Sequence, residues 1–213
     1  MPPEMVHSIT SFCDPRTQAQ CARVSKQWST SIGWDTLEQL YGACKTGNIE
    51  LVKQLLRKPN LDPSRDENAA LRVASKKGHT DVIELLLRDP RFDPSARDNE
   101  AIRVASAEGH IDAVQILMSD KRVNPAAHQN EALRRATNAS NYVLVDLLLG
   151  DDRVDPNIPL RSAIFNGDIN MVEIVLDEEW VADRIDFDDA IGFADNMDEF
   201  EIKHILVEFQ RWL

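Results

Sequence analysis

Four arginines stand in register along the chain. Arg72, Arg103, Arg134 and Arg161 each directly follow an aliphatic residue, at steps of 31, 31 and 27 residues. A guanidinium is permanently charged and presents its N–H donors in a fixed fork, so such a row can bind anions or can hold carbonyls and carboxylates inside the fold. The other side chains capable of chemistry form no comparable series. His79 and His110 follow Gly78 and Gly109 where a helix is expected to begin, which makes them helix-entry residues and neither ligands nor bases. Cys13, Cys21 and Cys44 are odd in number and lack Cys-x-x-Cys spacing or a nearby His pair, so they read as small buried hydrophobes. Asp188-Asp189 opens a predicted helix, where capping accounts for it. The sequence contains no phosphate-cradling glycine loop, no GxSxG and no HExxH. The expectation is a chain that is not an enzyme and takes no cofactor and no metal.

A repeating unit positions the arginines. Ala43, Ala74, Ala105 and Ala136 recur every 31 residues, and Ala163 and Ala194 continue the series after steps of 27 and 31. Three residues before each alanine stands Leu40, Leu71, Ile102, Leu133, Leu160 or Ile191. Twelve residues after it stands Leu55, Leu86, Leu117, Leu148, Val175 or Leu206. Within the unit 62–92, Asn68 is a suitable N-cap for a short first helix, and Gly78 can end that helix at positive φ without a Cβ penalty. A second helix is predicted from about Thr80 to Arg88, apolar around most of its circumference. It must be covered on more than one side, and stacked copies of the unit provide the cover. Burying one Leu86-type side chain contributes about 1.5 to 3 kcal/mol, so several units are needed to offset the ordering entropy. Asp62-Pro63, Asp93-Pro94, Asn124-Pro125 and Asp155-Pro156 mark extended turns between units. Leu61, Phe92, Val123, Val154 and Val181 are expected to anchor those turns. The repeat spans predicted are 31–61, 62–92, 93–123, 124–154, 155–181 and an acidic C-terminal cap at 182–213.

The 213 residues are 43% hydrophobic, with no apolar run long enough for a membrane span and no secretory leader at the start. That predicts a soluble, monomeric protein without a membrane partner. Residues 151–213 hold 17 acidic and 5 basic side chains, so the entire net charge of −12 resides there and the rest of the chain cancels. An acidic lobe repels nucleic acid and favours a basic protein partner, or it simply keeps a terminal cap solvated.

Helix, Gly-His turn, apolar helix and extended hairpin, carried by Ala74 with Gly78-His79 and Val82–Leu87, then by Ala105 with Gly109-His110 and Ala113–Met118, resemble the ankyrin repeat. The family's TPLH is replaced by segments ending at Arg72, Arg103 and Arg134. The resemblance implies that guanidinium takes over the structural role of that histidine, and an anion-binding ladder is the alternative. It also implies a protein target on the concave face, with Arg65, Asp66, Lys76, Lys77, Arg97, Asp98, Glu108, His128, Gln129, Asn138, Phe165 and Asn166 as target-binding candidates. Phe165, beside a finger shortened by four residues, is the candidate aromatic anchor.

Residues 1–30 follow another plan. Pro2 and Pro3 can start a helix whose face carries Met5, Ile9, Phe12 and Cys13; Asp14-Pro15 ends it; and Cys21, Val24 and Trp28 recur at helical spacing in a second one. Two such short helices cannot bury all their apolar surface alone. With Met1, Pro2, Glu4, Met5, Ile9, Phe12, Cys13, Asp14-Pro15, Val24, Ser25, Lys26 and Trp28 at their expected spacing, the segment resembles an F-box. The resemblance implies docking onto the Skp adaptor of a cullin-RING ubiquitin ligase through Pro2, Glu4, Met5, Ile9, Phe12, Val24 and Trp28. The expectation is therefore an all-α chain in which an F-box-like segment precedes about six divergent ankyrin repeats, acting as a ligase substrate receptor in the cytoplasm or in a host's cytoplasm or nucleus. A plain ankyrin scaffold, capped by its own first helices, is the alternative.

Overall fold

The computed structural model describes residues 34–59, 61–177 and 179–212. Among them every regular element is helical. Antiparallel pairs follow one another: α1 (Trp34–Thr46) with α2 (Ile49–Leu56), α3 (Arg65–Lys77) with α4 (Thr80–Leu87), and α5 (Ala96–Ala107) with α6 (Ile111–Met118). They continue with α7 (Ala127–Asn138) and α8 (Tyr142–Leu149), α9 (Asn157–Asn166) and α10 (Ile169–Asp177), then, after a 3-10 turn at Glu179–Arg184, α11 (Phe187–Asn196) and α12 (Phe200–Trp212). First helices pack on first helices and second on second, which is the stacked solenoid expected from the alanine period.

The recurring residues explain the stack. All six alanines of the register and all six residues twelve positions later are at most 2% exposed. Alanine at the contact lets the first helices approach closely, whereas Val, Ile and Leu hold the second helices further apart. Of the aliphatic residues three positions before each alanine, Ile191 alone is only partly buried. Leu61, Phe92, Val123, Val154 and Val181 are buried beneath the connecting turns, as anchors should be. Cys44 is a buried free thiol, and burial pushes its pKa up to about 12, which leaves it an inert hydrophobe. Cys13 and Cys21 lie outside the described residues.

Gly78 ends α3 at φ 67°, with its N–H on the Ser75 carbonyl and the His79 N–H on the Ala74 carbonyl at 3.1 Å. A Cβ there would also stand 2.8 Å from the His110 ring of the following repeat. His79 opens α4 and His110 opens α6, as expected, and each ring does a second job. Their Nε2 atoms donate to the carbonyls of Lys45 and Lys76 in the preceding repeat, both at 3.1 Å. Asp188 and Asp189 lie in the first turn of α11, capped by Asp186, whose side chain accepts from the Asp189 N–H at 3.0 Å.

One local expectation is corrected. Asn68 precedes the right-handed part of α3, but its side chain does not cap that helix. Asp66, Glu67 and Asn68 form a left-handed turn with φ of 52°, 54° and 62°, repeated at Arg97–Asn99 and His128–Asn130. Asparagine tolerates this region, but for ordinary L-residues it costs about 1 to 2 kcal/mol each, so bonds from outside must hold the turn. The Asn68 Oδ1 supplies one of them by accepting the Asp93 N–H of the next repeat at 3.0 Å. Asn99 and Asn130 do the same for the N–H groups of Asn124 at 2.7 Å and Asp155 at 3.1 Å.

Candidate protein-interaction surface

The left-handed turns expose their first two residues at three successive fingers: Asp66 and Glu67, Arg97 and Asp98, His128 and Gln129. Their frame repeats while their side chains change, the pattern of a surface that recognises by composition. Around them the described surface places the remaining target-binding candidates. Lys76, Lys77, Glu108, Asn138, Phe165 and Asn166 are exposed, and Arg65 is half-buried. Several are already engaged within the chain. Arg97 pairs with Glu67 and Glu100, Lys76 with Glu108 at 3.9 Å, His128 with Glu131 at 2.9 Å, and Asp66 accepts the Tyr41 hydroxyl at 2.9 Å. Phe165 is 64% exposed, so its side chain stands outside the core, but it lies in the last turn of α9, at the other end of that helix from the shortened finger. The adaptor-binding candidates Pro2, Glu4, Met5, Ile9, Phe12, Val24 and Trp28 lie outside the described residues.

The arginine row resolves into a ladder. Arg72 donates to the carbonyls of Asp66 at 2.9 Å and Glu67 at 2.7 Å, closing the left-handed turn, and its Nε pairs with Glu100 of the next repeat at 3.1 Å. Arg103 donates to the Arg97 carbonyl at 3.0 Å and pairs with Glu131. Arg161 pairs with Asp189 at 3.4 Å and lies over the Phe193 ring. Each acid follows its arginine by 28 residues. The aspartates at Asp62 and Asp93, considered as partners from sequence, are used otherwise: each accepts the N–H and hydroxyl of the serine two residues on. Arg134 is the exception to the ladder, exposed and without a hydrogen bond or ion pair among the described residues.

A second arginine series was not apparent from sequence. Arg91, Arg122 and Arg153 each chelate the aspartate two residues before them, Asp89, Asp120 and Asp151. Arg91 also reaches back to the Leu56 and Leu61 carbonyls, and Arg122 to those of Leu87 and Phe92. Arg184 repeats this at Val154 and Asp152. All lie at the 31-residue step, so aligning the units on the hairpin as well as on the alanine would have revealed them.

Glu131 concentrates the electrostatics of the ladder, receiving Arg103, Arg135 and His128. Burial pushes its carboxyl up, but the hydrogen bonds from Arg135 and Arg103 outweigh that and bring it down to about 2. A carboxyl held below its unfolded value stabilises the fold above pH ~4.3 and loses that contribution as pH falls toward 2. With Arg135 half in solvent, the contribution is roughly 1 to 2 kcal/mol. Urea unfolding should show Glu131→Gln less stable than wild type at pH 6, with the gap narrowing steadily below pH ~4; a gap that widens on acidification would contradict this assignment.

An ankyrin-repeat family model covering three copies matches residues 26–98, and an F-box domain model matches residues 1–39. The chain is an F-box segment followed by ankyrin repeats. Beyond residue 98 the helix pairs continue with the same buried rows, and the asparagine bonds between neighbours continue as far as Asp155. No curated protein compared with it matches the chain. An F-box joined to ankyrin repeats makes a protein-interaction adaptor, and none of the helices described is long and apolar enough to cross a membrane.

Proposed function

We propose that the chain is the substrate receptor of a Skp-cullin-F-box ubiquitin ligase. In this reading the F-box segment docks on a Skp-type adaptor and the ankyrin array holds a protein destined for ubiquitin transfer. The chemistry of transfer belongs to the partners, and the chain itself is not an enzyme. The observation that carries the proposal is the direct succession of the F-box match at 1–39 and the ankyrin match at 26–98, with no room for a linker between them. A short succession fixes the target close to the adaptor, as a receptor that presents its cargo requires.

The residues proposed for the adaptor contact are Pro2, Glu4, Met5, Ile9, Phe12, Val24 and Trp28, with Trp28 and Phe12 as the aromatic anchors that usually dominate such interfaces. Purified full-length chain should retain a Skp-type adaptor on affinity resin. Alanine at Met5, Ile9, Phe12 and Trp28 together should reduce retention at least tenfold, since each truncated anchor costs on the order of 1 to 2 kcal/mol or more. Equal, negligible retention by both proteins would remove the ligase reading and leave an ankyrin scaffold that binds a partner without recruiting a ligase.

A further inference from the structure

The arginine ladder has one empty rung, and it coincides with the shortened finger. Aligned on the aliphatic residue of each first helix, the acid positions are Glu100, Glu131, Ile158 and Asp189, each two residues before Ile102, Leu133, Leu160 and Ile191. Arg72, Arg103 and Arg161 find their carboxylates at Glu100, Glu131 and Asp189. Arg134 meets Ile158. The four-residue deletion has also removed the left-handed turn that opens α3, α5 and α7, so α9 starts without one, and between α7 and α9 lies an open notch of about 360 Å³. Its walls are Arg134, Arg135, Asn138, Ile158 and Ser162, with Glu131 at one side.

The charge in the notch is unbalanced. Glu131 is already shared between Arg103 and Arg135, so the Arg134 guanidinium has no counter-charge there. Asn138 and Ser162 add neutral polar groups beside it, and Ile158 adds an apolar wall. The chain shows which ligand this arginine position takes: at three other rungs it is a carboxylate from the adjoining segment, and a guanidinium matches a carboxylate bidentately.

We propose that the notch between α7 and α9 binds an acidic side chain, Asp or Glu, of the target protein, Arg134 taking the carboxylate and Ile158 the apolar residue next to it. The incoming side chain completes the ladder from outside, in the place that Glu100, Glu131 and Asp189 fill from within. The acidic C-terminal helices lie just beyond, so the target segment carries basic residues after its acidic anchor on that side. The inference rests on the reading of the ankyrin array as the target-binding part, and is independent of whether the F-box segment docks.

The test uses the full chain and three probes: the blocked tripeptides acetyl-Leu-Glu-Leu-amide and acetyl-Leu-Gln-Leu-amide, and inorganic phosphate at matched ionic strength. The readout is the Nε–Hε NMR cross-peak of Arg134, assigned by its disappearance in Arg134→Gln. The glutamate peptide should move it saturably, at roughly tenfold lower concentration than the glutamine peptide, because only one of them brings a charge-assisted pair. Ile158→Glu should fill the rung in cis, shifting the cross-peak without peptide and abolishing the response to it. Should that variant fold poorly, Arg134→Gln on an exposed side chain must lose peptide binding by calorimetry. No saturable response to the glutamate peptide, equal binding of the glutamine peptide, or binding retained by Arg134→Gln would overturn the proposal. Tighter binding of phosphate than of the glutamate peptide would overturn the assignment to a carboxylate. None of these outcomes touches retention of a Skp-type adaptor, so the two proposals fail separately.

Discussion

Leu117→Ala is expected to destabilise the ankyrin array by about 3 to 4 kcal/mol, within the range of truncations in close-packed cores. Leu117 is fully buried in α6, between α4 and α8, and belongs to the row twelve residues after the register alanine. The truncation loses the transfer energy of the removed carbons and opens a cavity that two flanking helices must collapse into. In a solenoid, stability is a sum over units and their junctions, so damage at the middle of the stack weakens two junctions at once. The measurement is urea unfolding followed by far-UV circular dichroism. A loss below about 1 kcal/mol would mean that the repeats do not share their apolar faces as described.

Asn99→Ala is expected to cost about 2 to 3 kcal/mol, with no change in apolar packing, for two separable reasons. Asn99 sits at φ 58° and is 7% exposed, and alanine tolerates that backbone less well. The substitution also strands the Asn124 N–H, which Asn99 now accepts at 2.7 Å across the repeat boundary. Two companions divide the cost. Asn99→Asp keeps both an oxygen acceptor and a residue type at ease in the left-handed region, so it should lose under about 1 kcal/mol. Asn99→Gly removes the bond while relieving the backbone, and should fall between the two. Thermal unfolding of the three variants orders them; if the glycine variant is as stable as wild type, the bond between repeats contributes nothing.

These two positions mark what was legible in the amino-acid sequence and what was not. Leu117 could be read because burial repeats: the same distance from Ala105 recurs in every unit, and apolar periodicity reports directly on which face is covered. Gly78 could be read because its helix-ending conformation has a residue type attached to it. The left-handed turns could not, because Asp66, Arg97 or His128 on their own indicate only a polar segment, and the conformation is held by Arg72 further along the same helix, by Tyr41 of the preceding repeat and by the bond that Asn68 of the turn itself makes to the next repeat. Asn68 was visible, but its helix-capping reading used a partner within its own unit, whereas the actual partner, the Asp93 N–H, is 25 residues away. The arginine row was visible as well. Its acids were not, because the pairing crosses a repeat boundary and the acid replaces a residue that is Ala69 in one unit and Ile158 in another. The gap at Arg134 emerges only when both halves of each pair are set side by side.

The four residues missing before α9 have a mechanical consequence as well. Every other seam between neighbouring first helices from α3 onward is buttoned by an arginine and its acid, while the α7–α9 seam keeps the Asn130 bond to Asp155 and lacks both the button and the overhanging finger. Force transmitted along the row of helices must cross this seam on apolar packing and that one asparagine bond, and whatever settles into the crevice adds a further tie across it.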